Sequence, residues 1–456
     1  MKICHYQVLI AIALLLTCFP LDACGQSDAV TKKTIRLHPQ SAQAGKTLFH
    51  LLPSEEEQEA GNAVPVLLRI VYEQQPFMQE VYPKLNDYAV MELNDPKLKE
   101  FSYGSFARQL IRAGSMSYAD WQYPLRSDRP YQILLPDVQS QRMLAGRGMT
   151  GWIKRLLAEG KTEEALICIK AQLACGRHCA ATPVIVCHLV GLAIANFAFE
   201  NIELAIQQED CPNLYWSLAS LPPTLHDIGP MVRWELWASP TSSDEDAPPI
   251  GDAKWKELAA QFVEIYGEAG AERYTAEEGL KLQNQISELA TKQLPETFGF
   301  SSAEMERMSK EELIMRWIHM QNNRFRAHVE PLTYLRPLEV LEAKKKIESM
   351  VNELLAETGA KSSPLPLVIP QGILICRTFE RRVKLLQTIE SLRDHASKHN
   401  GKFPMSLGEL DLPAPNDPFT EKPFEYEWTS EGAKLRLAEV EGFKTQLFEY
   451  ELSSSK

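Results

Sequence analysis

The sequence predicts a mainly α-helical protein that ends in a small α+β module. Apolar residues recur at helical spacing from Val64 onward and keep that period through most of the chain. One long helix is predicted from Ile373 to His399, and residues that alternate between apolar and polar, as in strands, follow it. These observations predict a body of packed helical hairpins, then a long helix that covers a three-stranded antiparallel meander.

Length, composition and charge narrow the class of protein. The chain has 456 residues, of which 45% are hydrophobic and 24% are charged, so two or three globular domains are expected. Its formal net charge is −12 at pH 7. An acidic chain without a basic tract is a poor partner for nucleic acid or for anionic lipid, so neither is predicted to bind it.

Residues 1–25 are predicted to be an export leader. The apolar run from Val8 to Phe19 has the length of a signal-peptide core and is short for a membrane span. The next residues, Leu21-Asp22-Ala23-Cys24, resemble the lipobox of bacterial lipoproteins, in which the Cys after a small residue is acylated. Two interpretations stay open: lipidation of Cys24, or ordinary cleavage after Gly25. Both predict an exported protein, periplasmic or associated with the outer membrane, that touches a membrane only through a lipid on Cys24.

Breaks in the helical pattern divide the rest of the chain. A polar, irregular start predicts an extended arm, and two stretches rich in Pro, Ser or Gly predict linkers. The apolar helix predicted from Val184 to Ile206 is interrupted by polar residues and is expected in a core rather than in a membrane. The predicted segments are the arm 26–61, a helical domain 62–238, a linker 239–253, a helical region 254–358, a linker 359–372 and the α+β module 373–456.

One helical hairpin is predicted from Trp152 to Ala174. Two helices meet at Gly160, and Thr162 is placed to cap the second of them. The stretch LLAEGKTEEALICIKAQLA resembles one tetratricopeptide unit, with small Ala165 where the helices approach each other. A second copy at the 34-residue period is not found, so the resemblance does not imply a superhelical peptide groove.

Two short motifs suggest ligands, and their context argues against both. Gly146 to Gly151 spells G-x-G-x-x-G, but the residues before it are predicted as helix rather than strand. Neither a nucleotide nor another cofactor is therefore predicted. Cys175, His178 and Cys179 offer soft metal ligands, yet their spacing matches neither zinc nor haem motifs, so core packing is favoured over a metal site.

Two carboxylates belong to an irregular stretch, 114–137, that is predicted to be a packed loop. Asp120 follows this loop's first residues, and Asp137 precedes the next predicted helix. They are the candidate catalytic residues if the protein is a hydrolase. The alternative, which the absence of a G-x-S-x-G, H-E-x-x-H or phosphate-loop motif favours, is that they cap a helix and anchor the loop.

The tail carries the most specific resemblance. After the long helix, the order N-G-K-F-P, S-L-x-E-L, D-P-F and K-P-F-x-Y resembles the C-terminal part of the type II secretion major pseudopilin. This chain departs from that family because no processed apolar helix leads directly into the tail, and Glu421, Glu425 and Glu427 stand in place of an Asp- and Gly-rich calcium loop. The matching residues are Gly401, Phe403, Pro404, Leu407, Leu410, Asp417, Pro418, Phe419, Pro423, Phe424 and Tyr426.

Three functions remain open from the sequence. In the stretches ADW…PL…LLPD and PNLYWSLASLP the chain also resembles a group of exported bacterial proteins that join a helical body to such a tail, and this resemblance implies no particular activity. The first hypothesis is an interaction or scaffold protein of the cell envelope that binds another envelope protein. The alternatives are an exported hydrolase with its site in the 114–137 loop, and a secretion-system accessory that docks through the pilin-like tail. A non-enzymatic role is favoured, and the exposed edge strand of the tail is the expected docking surface.

Overall fold

A computed structural model describes residues 30–42, 49–73, 79–125, 135–237, 248–260, 276–359 and 365–455. The structure is 62% helix, with 14 α-helices in this part of the chain and a small sheet near the C-terminus. The prediction of a mainly α-helical protein with a small C-terminal sheet is thereby confirmed. The leader with Cys24 and most of the 239–253 linker lie outside the described residues.

Strand β1 (Thr31–Leu37) comes first and is followed by a body of helices. Two short strands of the body, β2 (Glu59–Asn62) and β3 (Met116–Tyr118), pair in parallel. The helices of the body are α1 (Val64–Glu73), α2 (Leu85–Val90), α3 (Gly104–Ser115), α4 (Pro136–Gln141), α5 (Met149–Ala158), α6 (Thr162–Ala180), α7 (Ile185–Ala205) and α8 (Tyr215–Ala219).

Helices α6 and α7 pack closely at the centre of the body. A Cβ on Gly191 would lie 2.4 Å from the carbonyl oxygen of Gly176, so only glycine fits at this crossing. Helix α7 is the one helix in the described ranges that is long and apolar enough to cross a membrane, with a mean hydropathy of 1.6, and 67% of its apolar window is buried inside the protein. This burial agrees with the prediction of a core helix.

The predicted hairpin around Gly160 is present as α5 and α6. Gly160 has φ +71°, the left-handed conformation that glycine adopts most easily, and α6 begins at Thr162. The predicted cap is wrong, because Thr162 is the first helical residue and its hydroxyl donates to Asp210 Oδ1 at 2.6 Å. The hydroxyl thus ties α6 to the segment after α7 instead of closing the helix end.

A second group of helices follows the body. It has its own apolar clusters, which include Val340 and Val351 in one and Trp317 in another. Its first helix, α9 (Gly229–Trp237), lies at the end of the predicted domain 62–238. The described part of the predicted helical region 254–358 contains α10 (Ala276–Phe298), the short α11 (Ser302–Met305), α12 (Lys310–Val329) and α13 (Pro337–Thr358).

The long helix α14 (Leu365–Lys398) and the C-terminal sheet complete the fold. The helix begins before the predicted Ile373 and includes the later residues of the predicted linker 359–372. Its predicted apolar face is buried throughout: Phe379, Val383, Leu386, Ile389, Leu392 and Ala396. The three strands that follow it are β4 (Glu425–Thr429), β5 (Gly432–Arg436) and β6 (Phe448–Ser454), and neighbouring pairs are antiparallel.

The sheet has four strands rather than the three expected from the sequence. Strand β1 adds to it in parallel with β6, which gives the order β1-β6-β5-β4. The predicted extended arm is thus part of the sheet over Thr31–Leu37. Its apolar side chains Ile35 and Leu37 are buried beside β6, which stabilises this pairing. One continuous apolar cluster joins these residues to the helical body, to α14 and to the sheet.

Candidate functional site

The two candidate carboxylates, Asp120 and Asp137, lie in separate segments of the chain. Asp120 is exposed, its Oδ1 accepts the backbone N–H of Gln122 at 2.9 Å, and its own backbone is held by the side chain of Asn62. Asp137 lies in the first turn of α4, partly buried, and Leu135 rather than Asp137 occupies the N-cap position, so the predicted cap by Asp137 is wrong. Asp120 is thus a loop anchor, and the intervening residues 126–134 lie outside the described part of the chain.

Cys175, His178 and Cys179 lie in the core of the body on α6. Burial raises the pKa of the Cys175 thiol to about 12, and its S–H donates to the carbonyl of Leu110 at 3.6 Å. Burial, with help from the charge of Arg177, lowers the pKa of His178 to about 4. In the described ranges no three His, Cys, Asp or Glu side chains come together closely enough to hold a metal. These residues are packing groups in their neutral forms.

The G-x-G-x-x-G motif lies in helix, as the sequence predicts. Arg142–Gly148 form a π-helical turn that runs directly into α5. A Cβ on Gly148 would lie 2.5 Å from the hydroxyl oxygen of Tyr103, and one on Gly146 would lie 3.0 Å from the ring of Phe197. The space beside these glycines is therefore filled by aromatic side chains of the protein, and not left open for the phosphates of a nucleotide.

A buried polar cluster, not predicted from the sequence, supplies hydrogen bonds to the carbonyl oxygens of this π-helical turn. The Gln172 side-chain amide donates to the carbonyl oxygens of Ala145 and Gly146 at 3.0 and 2.8 Å. Asn201 of α7 donates to Gln172 Oε1 at 2.9 Å and to Thr150 Oγ1 at 3.0 Å. A π-helical turn leaves carbonyls poorly paired, so a buried amide facing them stabilises it. The signal in the sequence was a Gln and an Asn within apolar helices.

Glu203 of α7 is the most connected charged residue of the core. It is 4% exposed, and it accepts hydrogen bonds from Lys33 Nζ at 2.7 Å, from the Tyr450 hydroxyl at 2.6 Å and from the Arg382 guanidinium. Burial acts to lower the pKa of Arg382, but the charge of Glu203, together with Tyr450 and the other groups around the guanidinium, outweighs burial and the pKa is raised. The guanidinium carbon of Arg382 also lies 3.8 Å from the ring centroid of Phe448. One carboxylate thus joins β1, α7, α14 and β6.

Two further ion pairs on α14 hold the segments on either side of it. Arg381 donates to both carboxylate oxygens of Asp417, the Asp of the D-P motif, at 2.6–3.1 Å, and also to the carbonyl of Ala438 at 2.6 Å. Arg393 bonds Glu390 and the carbonyl oxygens of His38 and Cys211. The D-P turn is therefore a salt-bridged anchor of the tail on α14.

Within the described ranges, the sheet has an exposed edge at β4. At the β1 edge, the backbone N–H of Arg36 donates to Gln207 Oε1 at 3.3 Å, so that edge lies against the end of α7. At the other edge, β5 is the only strand paired with β4 among the described residues. Glu425 and Glu427 of β4 are exposed, and the large apolar residue Trp428 is 44% exposed. An edge with such a residue is a surface suited to strand pairing.

A small cleft of about 80 Å³ lies between α10, α12 and α13. Its polar lining groups bond one another, since Gln293 Oε1 accepts from Gln321 Nε2 at 3.1 Å and Gln293 Nε2 donates to Glu357 Oε2 at 3.1 Å. This volume is well below the range of about 300–1,000 Å³ that is usual for small-molecule sites. The sheet edge therefore remains the feature of the described chain best suited to binding.

Comparison of the chain with family models, with curated proteins and with solved structures finds no match. The likeness of the tail to a pseudopilin and of the α5–α6 hairpin to a tetratricopeptide unit therefore remain predictions from the sequence. A function has to be argued from the geometry of the chain itself.

Proposed function

We propose that this protein is an exported interaction protein of the cell envelope, and that it binds another envelope protein through the β4 edge of its C-terminal sheet. The observation that carries the proposal is the exposed edge itself, with Trp428 44% exposed beside it. Extended segments add to such edges through backbone hydrogen bonds, and neighbouring side chains give specificity. The rest of the protein serves as the scaffold that holds this edge.

The charged anchors of α14 support the scaffold role. Arg381, Arg382 and Arg393 each donate hydrogen bonds to groups from other parts of the chain, and all three are buried. Removing one partner from a buried ion pair typically costs about 3–5 kcal/mol, so such pairs fix the position of the sheet on the helix. A rigid sheet presents its edge in one orientation, which reduces the ordering cost of binding.

The predicted leader supports a location near a membrane. If Cys24 is lipidated, the chain from Cys24 to Thr31 spans at most about 25 Å when fully extended. Strand β1 belongs to the same sheet as β4, so a lipid on Cys24 would hold this sheet close to the membrane surface. The tail's resemblance to a pseudopilin makes a secretion-system subunit a specific candidate for the partner.

Photo-crosslinking in the cell that makes the protein tests the proposal. A photoreactive amino acid replaces Trp428 at the edge, and in a matched control it replaces Tyr334, which is 79% exposed on the 3-10 turn before α13. We expect a discrete crosslinked product from position 428 that the control does not give, and mass spectrometry identifies the partner.

The same products from both positions, or no product from position 428, would contradict docking at this edge. A second position, Met405, is 72% exposed in the segment between α14 and β4. It is expected to give the same partner with lower yield, because Pro404 beside it accepts the hydroxyl of Tyr426 on β4.

A further inference from the structure

The outer face of the sheet carries charges whose sign changes from strand to strand. In the first cross-strand row, Lys32 of β1, Glu449 of β6, Arg436 of β5 and Glu425 of β4 stand in register. Ion pairs join the first three of these residues, with Nζ of Lys32 3.6 Å and Nε of Arg436 2.7 Å from carboxylate oxygens of Glu449, and Arg436 also lies 4.0 Å from a carboxylate oxygen of Glu427 on β4. The order across this row is basic, acidic, basic, acidic.

The next row repeats the alternation. Glu451 of β6, Lys434 of β5 and Glu427 of β4 stand in register, and Thr34 occupies the β1 position. Opposite charges directly across from each other stabilise a sheet, and like charges destabilise it. Strand β4 ends both rows with a carboxylate that has a basic neighbour on one side and solvent on the other. A further strand that continues the pattern would be basic.

The inner face of the sheet indicates which side chains an added strand would carry on its inward-facing side. Trp428, Ala433, Leu452 and Ile35 form one cross-strand row on this face. The last three side chains are buried, whereas Trp428 at the edge is 44% exposed. An apolar residue on an added strand would cover the open flank of this indole, as a neighbouring strand does for the other residues of the row.

We infer that the β4 edge docks an amphipathic, basic β-strand of a partner protein. Its Lys or Arg side chains lie on the face of Glu425 and Glu427, and its apolar side chains cover Trp428. The inference rests on the proposed docking at β4 and adds the chemistry of the partner. It also disfavours a symmetric β4–β4 dimer, because that arrangement would bring acidic side chains of two copies together across the new pair of strands.

A second copy of this chain is the competing occupant. Its β1 has the required pattern, with Lys32 and Arg36 on the outer face and Ile35 and Leu37 on the inner face. In the folded chain, however, β1 pairs with β6 on one side and contacts Gln207 on the other. A copy would have to withdraw its own β1 in order to offer it, so a different protein is the better occupant.

Synthetic strands test the chemistry on the purified full chain at physiological salt. The probes are a peptide of alternating Lys and Val, the same peptide with Glu for every Lys, and the chain's own segment Thr31–Leu37. Affinity is measured by calorimetry, and hydrogen exchange reports protection of the β4 amides, Glu425–Thr429. We expect the Lys peptide to bind about fivefold or more tightly than the Glu peptide and to slow exchange within β4.

Charge-reversed variants distinguish attraction of the Lys peptide to the β4 edge from its attraction to the net negative charge of the whole chain. Glu425→Lys with Glu427→Lys should invert the preference, so that the Glu peptide binds better. Glu288→Lys with Glu296→Lys, exposed positions on α10, changes the net charge equally and should leave the preference unchanged. Glu425→Gln with Glu427→Gln should abolish the preference without placing like charges opposite Arg436 and Lys434.

The outcomes distinguish this inference from docking itself. Equal protection of β4 by the Lys and Glu peptides would retain edge docking and overturn the basic partner. Binding of the Lys peptide without protection of β4 would also overturn the basic partner. So would a loss of Lys-peptide affinity in the α10 variant that is as large as the loss in the β4 variant. Tightest binding by the Thr31–Leu37 peptide, with self-association of the full chain that Glu425→Lys and Glu427→Lys abolish, would assign the edge to a second copy instead.

Discussion

At the scale of single residues, polar side chains that interrupt apolar helices mark the points where the chain is tied together. Glu203 stands in the apolar helix α7, and three donors from β1, α14 and β6 meet it. Burying an isolated charge is too costly to be retained without partners, so its presence in an apolar run predicts that partners exist. Their identity cannot be predicted, because Lys33 and Arg382 lie 170 and 179 residues away in sequence.

Glu203→Gln is expected to lower the free energy of unfolding by about 3 kcal/mol, because the buried Arg382 and the partly buried Lys33 would keep their charges without a carboxylate. The measurement is chemical denaturation followed by circular dichroism. Glu200→Gln, an exposed position on the same helix, is the control and should change the free energy by less than about 0.5 kcal/mol. Equal effects of the two substitutions would show that the Glu203 cluster contributes no net stability.

At the scale of elements, the type and location of helices and strands were predictable where a periodic pattern of apolar residues extends over many positions. The helix from Ile373 and the strands after it follow from periodicity, and the apolar face of α14 is buried as predicted. The π-helical turn at Arg142–Gly148 was not predictable, because it depends on Gln172 of another helix reaching its carbonyls. For the same reason the glycines of the G-x-G-x-x-G motif take their role from Tyr103 and Phe197, which no local pattern reveals.

Gly148→Ala is expected to destabilise the body by about 1–3 kcal/mol, since the added Cβ would lie 2.5 Å from the Tyr103 hydroxyl oxygen and the packed ring cannot move freely. The midpoint of thermal unfolding measures the effect. Gly408→Ala is the matched control, because the nearest atom to its added Cβ is 3.8 Å away and the position is exposed. An unchanged midpoint in Gly148→Ala would mean that the glycine is not required for this packing.

At the scale of the whole molecule, the sheet joins the two ends of the described chain. Strand β1 pairs with β6 more than 400 residues later, from Thr31 with Phe448 to Leu37 with Ser454. The antiparallel strands of the tail were predictable, because alternating residues mark each strand and neighbouring strands lie close in sequence, with a two-residue turn between β4 and β5. No pattern in the sequence indicates this parallel pair, which depends on the folded body bringing the two segments together. The separate module expected from residue 373 onward therefore shares its sheet and its core with the start of the chain.

Leu37→Ala tests whether this sheet is one cooperative unit with β1. Leu37 is fully buried, so the substitution is expected to cost about 2–5 kcal/mol, and hydrogen exchange should quicken not only in β1 but also in the β6 amides Phe448–Ser454. Val30→Ala, at a position that is 38% exposed just before the strand, should leave β6 protection unchanged. Faster exchange confined to β1 would mean that the three C-terminal strands hold together on α14 alone, with β1 as an addition to a sheet already complete.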